Sequence, residues 1–294
     1  MAVTASQVKQ LREMTGAGMM DCKKALAETE GQMDDAVEFL RKKGMAGADK
    51  KEGRTAAEGV IAIAMTDDKK KAAIVEVNCE TDFVAKGDEF KQFADAIAQV
   101  ILTTGVTDPE ALMNEKLENG QTVDERRREL VGRIGENMTV RRTELIETNG
   151  EIGQYQHGEK IGVVVAMEGG DDQLLRDVAM HVAASKPAAV SEKDVDADMI
   201  EKERQFQIEQ AKDSGKPENI IEKMIEGRMR KFLQEITLMG QAFVKDPDQS
   251  VEKLLQSADA KVDHFVRLEV GEGIEIEDTN FADEVAAAAE AAKS

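Results

Sequence analysis

VIAIAMTDDKKKAAIVEV, residues 60–77, is the stretch on which the fold turns. Two runs of β-branched and small apolar residues, 60–65 and 72–77, flank the polar Thr66-Asp67-Asp68-Lys69, which is the spacing of an antiparallel hairpin. A loop follows, and then Phe90, Phe93, Ala94, Ile97 and Ile101 recur at helical spacing. The same order returns further along. Residues 151–155 and 161–167 form a second hairpin with His157-Gly158 in its turn, and Leu174, Leu175, Val178 and Val182 stripe the helix after it. Each copy closes with one more strand, over 139–146 in the first and 264–270 in the second. The fold class that follows is α+β: a duplicated three-stranded antiparallel sheet with covering helices.

Each copy carries an insertion before its closing strand. In the first it is a polar helical stretch over 109–135. In the second, Val195, Met199, Phe206 and Ala211 mark one amphipathic segment and Ile221, Met224, Ile225, Met229, Phe232 and Ile236 another. The break Asp213-Ser214-Gly215-Lys216-Pro217 joins them into an antiparallel helical hairpin. Lys202 and Glu209 interrupt the first stripe, so the hairpin is expected to project as an arm.

Outside the repeat, residues 1–44 read as a small helical module. Thr4 and Gln7 have capping-box spacing before a helix carrying Val8 and Leu11 and ending near Gly16. A second helix buries Cys22, Ala25 and Leu26; a third starts at Asp34, buries Val37 and Leu40 and is expected to stop at Gly44. About 40 residues make a marginal core, so this module should lean on a partner. Residues 45–58, small and charged, read as a mobile linker. At the other end Phe281 and Val285 sit one helical turn apart in an Ala-rich tail that must dock or fray. The resulting organisation is a helical module with linker over 1–55, core units over 56–147 and over 148–190 with 232–272, the hairpin over 191–231, and a C-terminal helical module over 273–294.

Composition limits what this chain does. Its 39 Lys and Arg against 59 Asp and Glu give a net charge of -20, the wrong sign for coating nucleic acid or anionic membrane. Aromatic residues are 3%, too few for base-stacking platforms, whereas the 15 Met suit adaptable binding surfaces. Two cysteines, Cys22 and Cys79, fit a reducing compartment and read as small core residues. No apolar run approaches a membrane span, and the expectation is a soluble cytoplasmic protein.

The motifs of phosphate-binding loops, zinc proteases, redox dithiols and serine hydrolases are all missing. His157, His181 and His264 fall on three different elements, and His181 reads as a structural histidine. One segment has another character: Asn78-Cys79-Glu80-Thr81-Asp82-Phe83-Val84-Ala85 leads from a strand through a polar turn to an apolar pair. A large aromatic there is either a plug for the local core or a probe offered to a partner. Tyr155-Gln156-His157-Gly158 holds the corresponding turn of the repeat.

These two segments, together with Thr15-Gly16-Ala17-Gly18-Met19-Met20-Asp21-Cys22-Lys23-Lys24-Ala25-Leu26 and His181-Val182-Ala183-Ala184-Ser185-Lys186-Pro187, resemble the bacterial elongation factor Ts family. The resemblance covers the whole chain in order, with residues 103–124 the least familiar stretch. It implies a guanine-nucleotide exchange factor for elongation factor Tu, with no bond chemistry, cofactor, metal or nucleotide of its own, and leaves room for higher-order assembly with that partner. By resemblance the N-terminal module is similar to a ubiquitin-associated fold and touches the GTPase through Arg12, Met19 and Met20. Thr81, Asp82, Phe83 and Val84 correspond to the motif that intrudes near the Mg²⁺ site, with Asp82 and Phe83 the intruding pair. Gly135 and His157 correspond to core positions facing the GTPase, and the coiled-coil arm and final helix also reach it. The alternative is an RNA- or ribosome-associated protein without exchange activity, built on Arg126-Arg127-Arg128 and Arg141-Arg142, which pattern alone reads as solvated helix face and strand edge.

Overall fold

The computed structural model describes residues 3–212 and 217–275. Helix α1 (Ala5–Thr15) begins at the expected capping box, Thr4 Oγ1 accepting from the Gln7 N–H at 3.2 Å and Gln7 Oε1 from the Thr4 N–H at 3.0 Å. It ends at Gly16, whose φ of 66° is a left-handed cap. In α2 (Met19–Glu28), Cys22, Ala25 and Leu26 are fully buried with Leu11. The next helix, α3 (Met33–Asp49), runs past Gly44, where the sequence predicts a stop.

Strands β1 (Glu58–Met65) and β2 (Lys71–Cys79) pair antiparallel from Glu58↔Cys79 to Met65↔Ala72. A single turn, α4 (Asp82–Ala85), precedes α5 (Asp88–Thr104), whose Phe90, Phe93, Ala94, Ile97 and Ile101 are buried as the spacing requires. The stretch expected as one polar helical segment is two helices, α6 (Pro109–Leu112) and α7 (Val123–Ile134), separated by a Lys116↔Thr122 bridge. Nor is α7 polar on every side, since Val123, Leu130 and Val131 join the core. Strand β3 (Met138–Glu147) then completes a sheet of order β1-β2-β3.

Helix α7 also explains why α3 does not stop. A Cβ on Gly132 would stand 2.6 Å from the Gly44 Cα, so the two helices cross at a glycine pair. Gly44 is thus a contact point rather than a terminus, and the expected linker is helical as far as Asp49. Ala48 is buried there, and Asp49 lies 3.1 Å from Arg128 Nη1.

In the second copy, β4 (Glu151–His157) and β5 (Ile161–Glu168) lead into α8 (Asp172–Ser185). The insertion is α9 (Ala197–Lys212) and α10 (Glu218–Ile236), which pack through Ile200, Ile208 and Ala211 against Ile221, Ile225, Met229 and Phe232. Met199 and Phe206, expected on that stripe, are exposed instead. The seam follows Ile200 and Gln207, whose Oε1 accepts from Arg228 Nη1 at 2.9 Å, so Met199 and Phe206, each one position earlier, face outward. A ribbon of β6 (Ala242–Phe243) and β7 (Asp246–Ser250), unforeseen from sequence, and α11 (Val251–Ser257) come next. Strand β8 (Lys261–Glu269) closes a second sheet of order β4-β5-β8. The tail helix expected around Phe281 and Val285, and residues 213–216 of the arm's break, lie outside the described residues.

The two sheets pack face to face through Ile61, Ala72, Ile74 and Ile146 on one side and Ile152, Val164, Ala166 and Leu268 on the other. With α5 on the first sheet and α8 on the second, the layers run helix, sheet, sheet, helix. At the rim of this interface Glu76 is 0% exposed. A bulge in the β2–β3 ladder pairs Glu76 with Arg142 and Val77 with Val140, leaving Arg141 as the extra residue. Consecutive strand side chains ordinarily point to opposite faces. Here both arginines reach Glu76 Oε2, Arg141 Nη1 at 3.1 Å and Arg142 Nε at 2.5 Å, while Oε1 accepts from Asn78 Nδ2 at 3.0 Å and the Gly271 N–H at 2.8 Å. The other arginine run is likewise engaged: Arg126 with Glu89 and Glu129, Arg127 with Asp124, Arg128 with Asp49 and Asp124. Neither run is the solvated surface the sequence suggests.

Candidate partner-binding surface

The turn after β2 is built from the backbone outward. Cys79 is buried, and its Sγ–H donates to the Thr81 carbonyl at 3.2 Å. Burial, assisted by the charges of Glu136 and Glu58, pushes that thiol up to about 12, so it is a neutral structural donor at physiological pH. Thr81 is extended (φ -125°, ψ 155°) and caps α4 by accepting from the Val84 N–H. Within α4, Ala85 is buried and Val84 packs on the first core, which turns the intervening side outward. Phe83 is 84% exposed, the most exposed of the large hydrophobic residues described. It is not a plug. Asp82 beside it is held by Lys86 Nζ at 2.6 Å, and this hydrogen bond lowers the carboxyl below its usual range, keeping it ionised at neutral pH.

Thr81 is also gripped from the loop between α7 and β3. The Glu136 carboxylate accepts from the Thr81 N–H at 3.0 Å and from the Thr81 hydroxyl at 2.7 Å. Just before it, Gly135 caps α7 with φ 94°, a conformation that favours glycine, and its N–H donates to the Val131 carbonyl. Gly135 and the Thr81 turn are thereby neighbours.

The tip of the second hairpin meets β1, whose Glu58 is paired with Cys79 at the start of the turn. The Ile61 N–H donates to the Glu159 carbonyl at 2.8 Å, Gln156 Nε2 donates to the Ile61 carbonyl at 2.9 Å, and Lys160 pairs with Glu58 at 2.6 Å. Lys160 also contributes to the lowered pKa of Asp82. His157 at this tip is exposed, its ring stacked on Tyr155 with centroids 6.5 Å apart. From the other side comes the α1–α2 corner. A Cβ on Gly16 would stand 2.8 Å from Arg133 Cδ, and Arg133 pairs with Glu89 near the start of α5. That corner presents exposed Arg12 and, at 60% and 74% exposure, Met19 and Met20.

The structure therefore makes Gly135 and the Thr81–Val84 turn neighbours, ties the hairpin tip that carries His157 to β1 at Glu58 and Ile61, and sets Arg12, Met19 and Met20 on the module docked on α7 through Arg133. Exposed Met14 and the gripping Glu136 were not singled out from sequence. Met14 falls outside the quoted motif by one residue, and Glu136 carries a signal only in its position one residue after a glycine helix cap. His181, by contrast, is buried, bonded to Gln241 at 2.9 Å and accepting from the Val244 N–H at 3.1 Å, and has the structural role read for it. No cluster of His, Cys, Asp and Glu suited to a metal occurs among the described residues, and no described helix is long and apolar enough to cross a membrane.

The family model described as elongation factor TS matches residues 80–272, which include the turn, Gly135, the second hairpin and the arm. The chain is 78% identical to elongation factor Ts of Hydrogenovibrio crunogenus over 293 residues, covering 100% of both chains. It is 58% identical to that of Methylococcus capsulatus, covering 98% of each, and 51% identical to that of Legionella pneumophila, covering 97% of this chain and 98% of the relative. A chain matched by this family model over most of its length, and by these relatives over nearly all of it, belongs to the elongation factor Ts family.

Proposed function

We propose that this protein is the guanine-nucleotide exchange factor of elongation factor Tu. It binds the GDP form, disturbs the Mg²⁺ and phosphate site with Asp82 and Phe83, and stays bound until GTP returns. The observation that carries this reading is Phe83, left 84% exposed on a turn whose neighbouring side chains are packed. A bare aromatic in that setting gains its burial energy only on a partner. The supporting modules are a ubiquitin-associated-like helical module with its linker over 1–55, the core units over 56–147 and over 148–190 with 232–272, a coiled-coil arm over 191–231 and a C-terminal module over 273–294. Arg12, Met19, Met20, Gly135 and His157 are the further contacts.

The energetics ask for a broad surface. A GTPase holding nucleotide at about nanomolar strength has roughly 12 kcal/mol to be overcome, and speeding release ten-thousand-fold takes about 5.5 kcal/mol off the barrier. Burying one Phe supplies about 1.5 to 3 kcal/mol, so Met19, Met20 and His157 must contribute. No bond is made or broken. The factor needs only to prefer the nucleotide-free state, and reciprocity then makes rebinding nucleotide expel it.

The test is release of fluorescent GDP from purified elongation factor Tu. Wild-type chain should accelerate it, and Asp82→Ala with Phe83→Ala should remove most of the acceleration; an unchanged rate in that double variant would sink the mechanism. An RNA-binding reading has no observation in its favour, because both arginine runs it requires are paired with carboxylates.

A further inference from the structure

We propose that Glu136 is the positioning residue of the exchange turn, fixing where Phe83 is presented; the proposal rests on the exchange reading above. The argument begins with the sheet register. Strands β2 and β3 end their backbone pairing at Cys79↔Met138. Continued by one and two residues, the antiparallel register would set Glu80 opposite Asn137 and Thr81 opposite Glu136. The pairing does continue, through side chains. Glu80 Oε1 accepts from the Asn137 N–H at 2.6 Å, and Glu136 Oε2 accepts from the Thr81 N–H at 3.0 Å. Two crossed carboxylates thus take the place of ladder carbonyls, and charge-assisted bonds of this kind are stronger than the neutral ones they replace.

Glu136 does more than extend the ladder. Its Oε1 accepts a hydrogen bond from the Thr81 hydroxyl at 2.7 Å, which sets the rotamer of that hydroxyl and leaves a lone pair for the Val84 N–H. The cap of α4 therefore depends on Glu136. A single helical turn is not stable in isolation, because nucleation fixes several dihedrals for one hydrogen bond. Phe83 contributes nothing to its own placement, being almost wholly exposed. What orients it is the Thr81 cap on one side and the packing of Val84 and Ala85 on the other.

The base of Glu136 is firm enough for this role. The next residue, Asn137, is 1% exposed, and its Nδ2 donates to the Glu52 carbonyl at 3.2 Å and the Arg54 carbonyl at 2.8 Å. The carboxylate is thus carried on a backbone tied at once to β2 and to the segment that follows α3.

The experiment uses the full-length chain and stimulated GDP release from elongation factor Tu at saturating factor. Glu136→Ala should lower the maximal stimulated rate about tenfold, the rate equivalent of one charge-assisted hydrogen bond, while the half-saturating concentration moves less than about threefold. Glu136→Gln, isosteric and still able to accept one of the two bonds, should recover part of that loss. In a Phe83→Ala background Glu136→Ala should change the rate less than about twofold, because a positioning residue acts only through the group it positions. In the free protein, hydrogen exchange over residues 82–86 should quicken about tenfold in Glu136→Ala, with the β2–β3 ladder unchanged. A wild-type rate for Glu136→Ala while Phe83→Ala is slow overturns the positioning role alone. An equal loss in the Phe83→Ala background overturns it too, since Glu136 would then act independently of Phe83. If Phe83→Ala keeps the wild-type rate, the exchange reading itself fails, whatever the hydrogen-exchange result.

Discussion

Gly132 and Gly227 both sit inside helices, α7 and α10, and the same substitution should move their stabilities in opposite directions. Alanine is favoured over glycine in a helix interior by about 1 kcal/mol, a term common to both sites. At Gly227 nothing lies within 4 Å of the added Cβ, so Gly227→Ala should realise that gain. At Gly132 the new methyl would stand 2.6 Å from the Gly44 Cα and 3.1 Å from its carbonyl carbon and oxygen. These are backbone atoms and no rotamer change relieves them, so α3 and α7 must separate. Overpacking of this kind costs about 1 to 3 kcal/mol, which leaves Gly132→Ala destabilising by roughly 0 to 2 kcal/mol after the propensity gain. The difference between the two variants isolates the clash. Hydrogen exchange read by mass spectrometry on peptides of each helix is the assay, because it reports local opening. Exchange across 218–236 should slow about fivefold in Gly227→Ala, while exchange across 41–49 and 123–134 should quicken by up to about thirtyfold in Gly132→Ala. Slowing at both sites would refute the crossing, and with it the claim that the N-terminal module is docked on α7 rather than tethered.

Two further tests follow from buried charge. Glu76→Ala leaves Arg141 and Arg142 facing a cavity without their anion, and breaking one side of a buried ion network costs about 3 to 5 kcal/mol, or about 5 to 8 °C in Tm for a chain of this size unfolding as one unit. A change below about 1 °C would show that solvent, not Glu76, satisfies the arginines. His181 tests the second sheet's helix: burial lowers its pKa from 6.5, so the unfolded chain binds more protons as the pH falls past that value, and the histidine's contribution is complete above it and lost below. Between about pH 7.5 and about pH 5.5 the Tm of His181→Gln should therefore fall less than that of wild type, and equal slopes would mean that another group titrates.

Local chemistry made most of the elements legible. Thr4 with Gln7 and Thr66 to Lys69 act within a few residues, and they mark the first helix start and the first hairpin where the structure has them. Periodicity served where one face meets one core, as along α5 and α8. It failed where the decisive neighbour is distant in the chain. Gly44 looks like a stop because its reason for being glycine is Gly132. Arg141 and Arg142 look like a strand edge because the bulge that aims both at Glu76 has no local signature. Met199 and Phe206 looked like the arm's seam because hydrophobicity outvoted phase, whereas the partner helix selects Ile200, Ile208 and the polar Gln207. The stacking of the two sheets was also there to be read. Residues 72–75 of β2 and 163–167 of β5 are apolar without interruption, and the structure buries both runs. Runs that do not alternate belong to strands covered on both faces.

The turn at Phe83 shows why the candidate site was legible as a motif and not as a geometry. From sequence, an aromatic between a strand and a helix can cover the core or leave it, and the residue itself does not decide. The decision belongs to its neighbours. Val84 and Ala85 fill the space on the first core, Cys79 and Glu136 hold Thr81, and Lys86 draws Asp82 along the surface, so the one direction left to Phe83 is outward. Four of these determinants, Cys79, Val84, Ala85 and Lys86, are close to Phe83 in the chain, and the fifth, Glu136, is 55 residues from Thr81. With the turn held by these bonds and Phe83 left out, the apolar surface of that side chain is free for the contact proposed above.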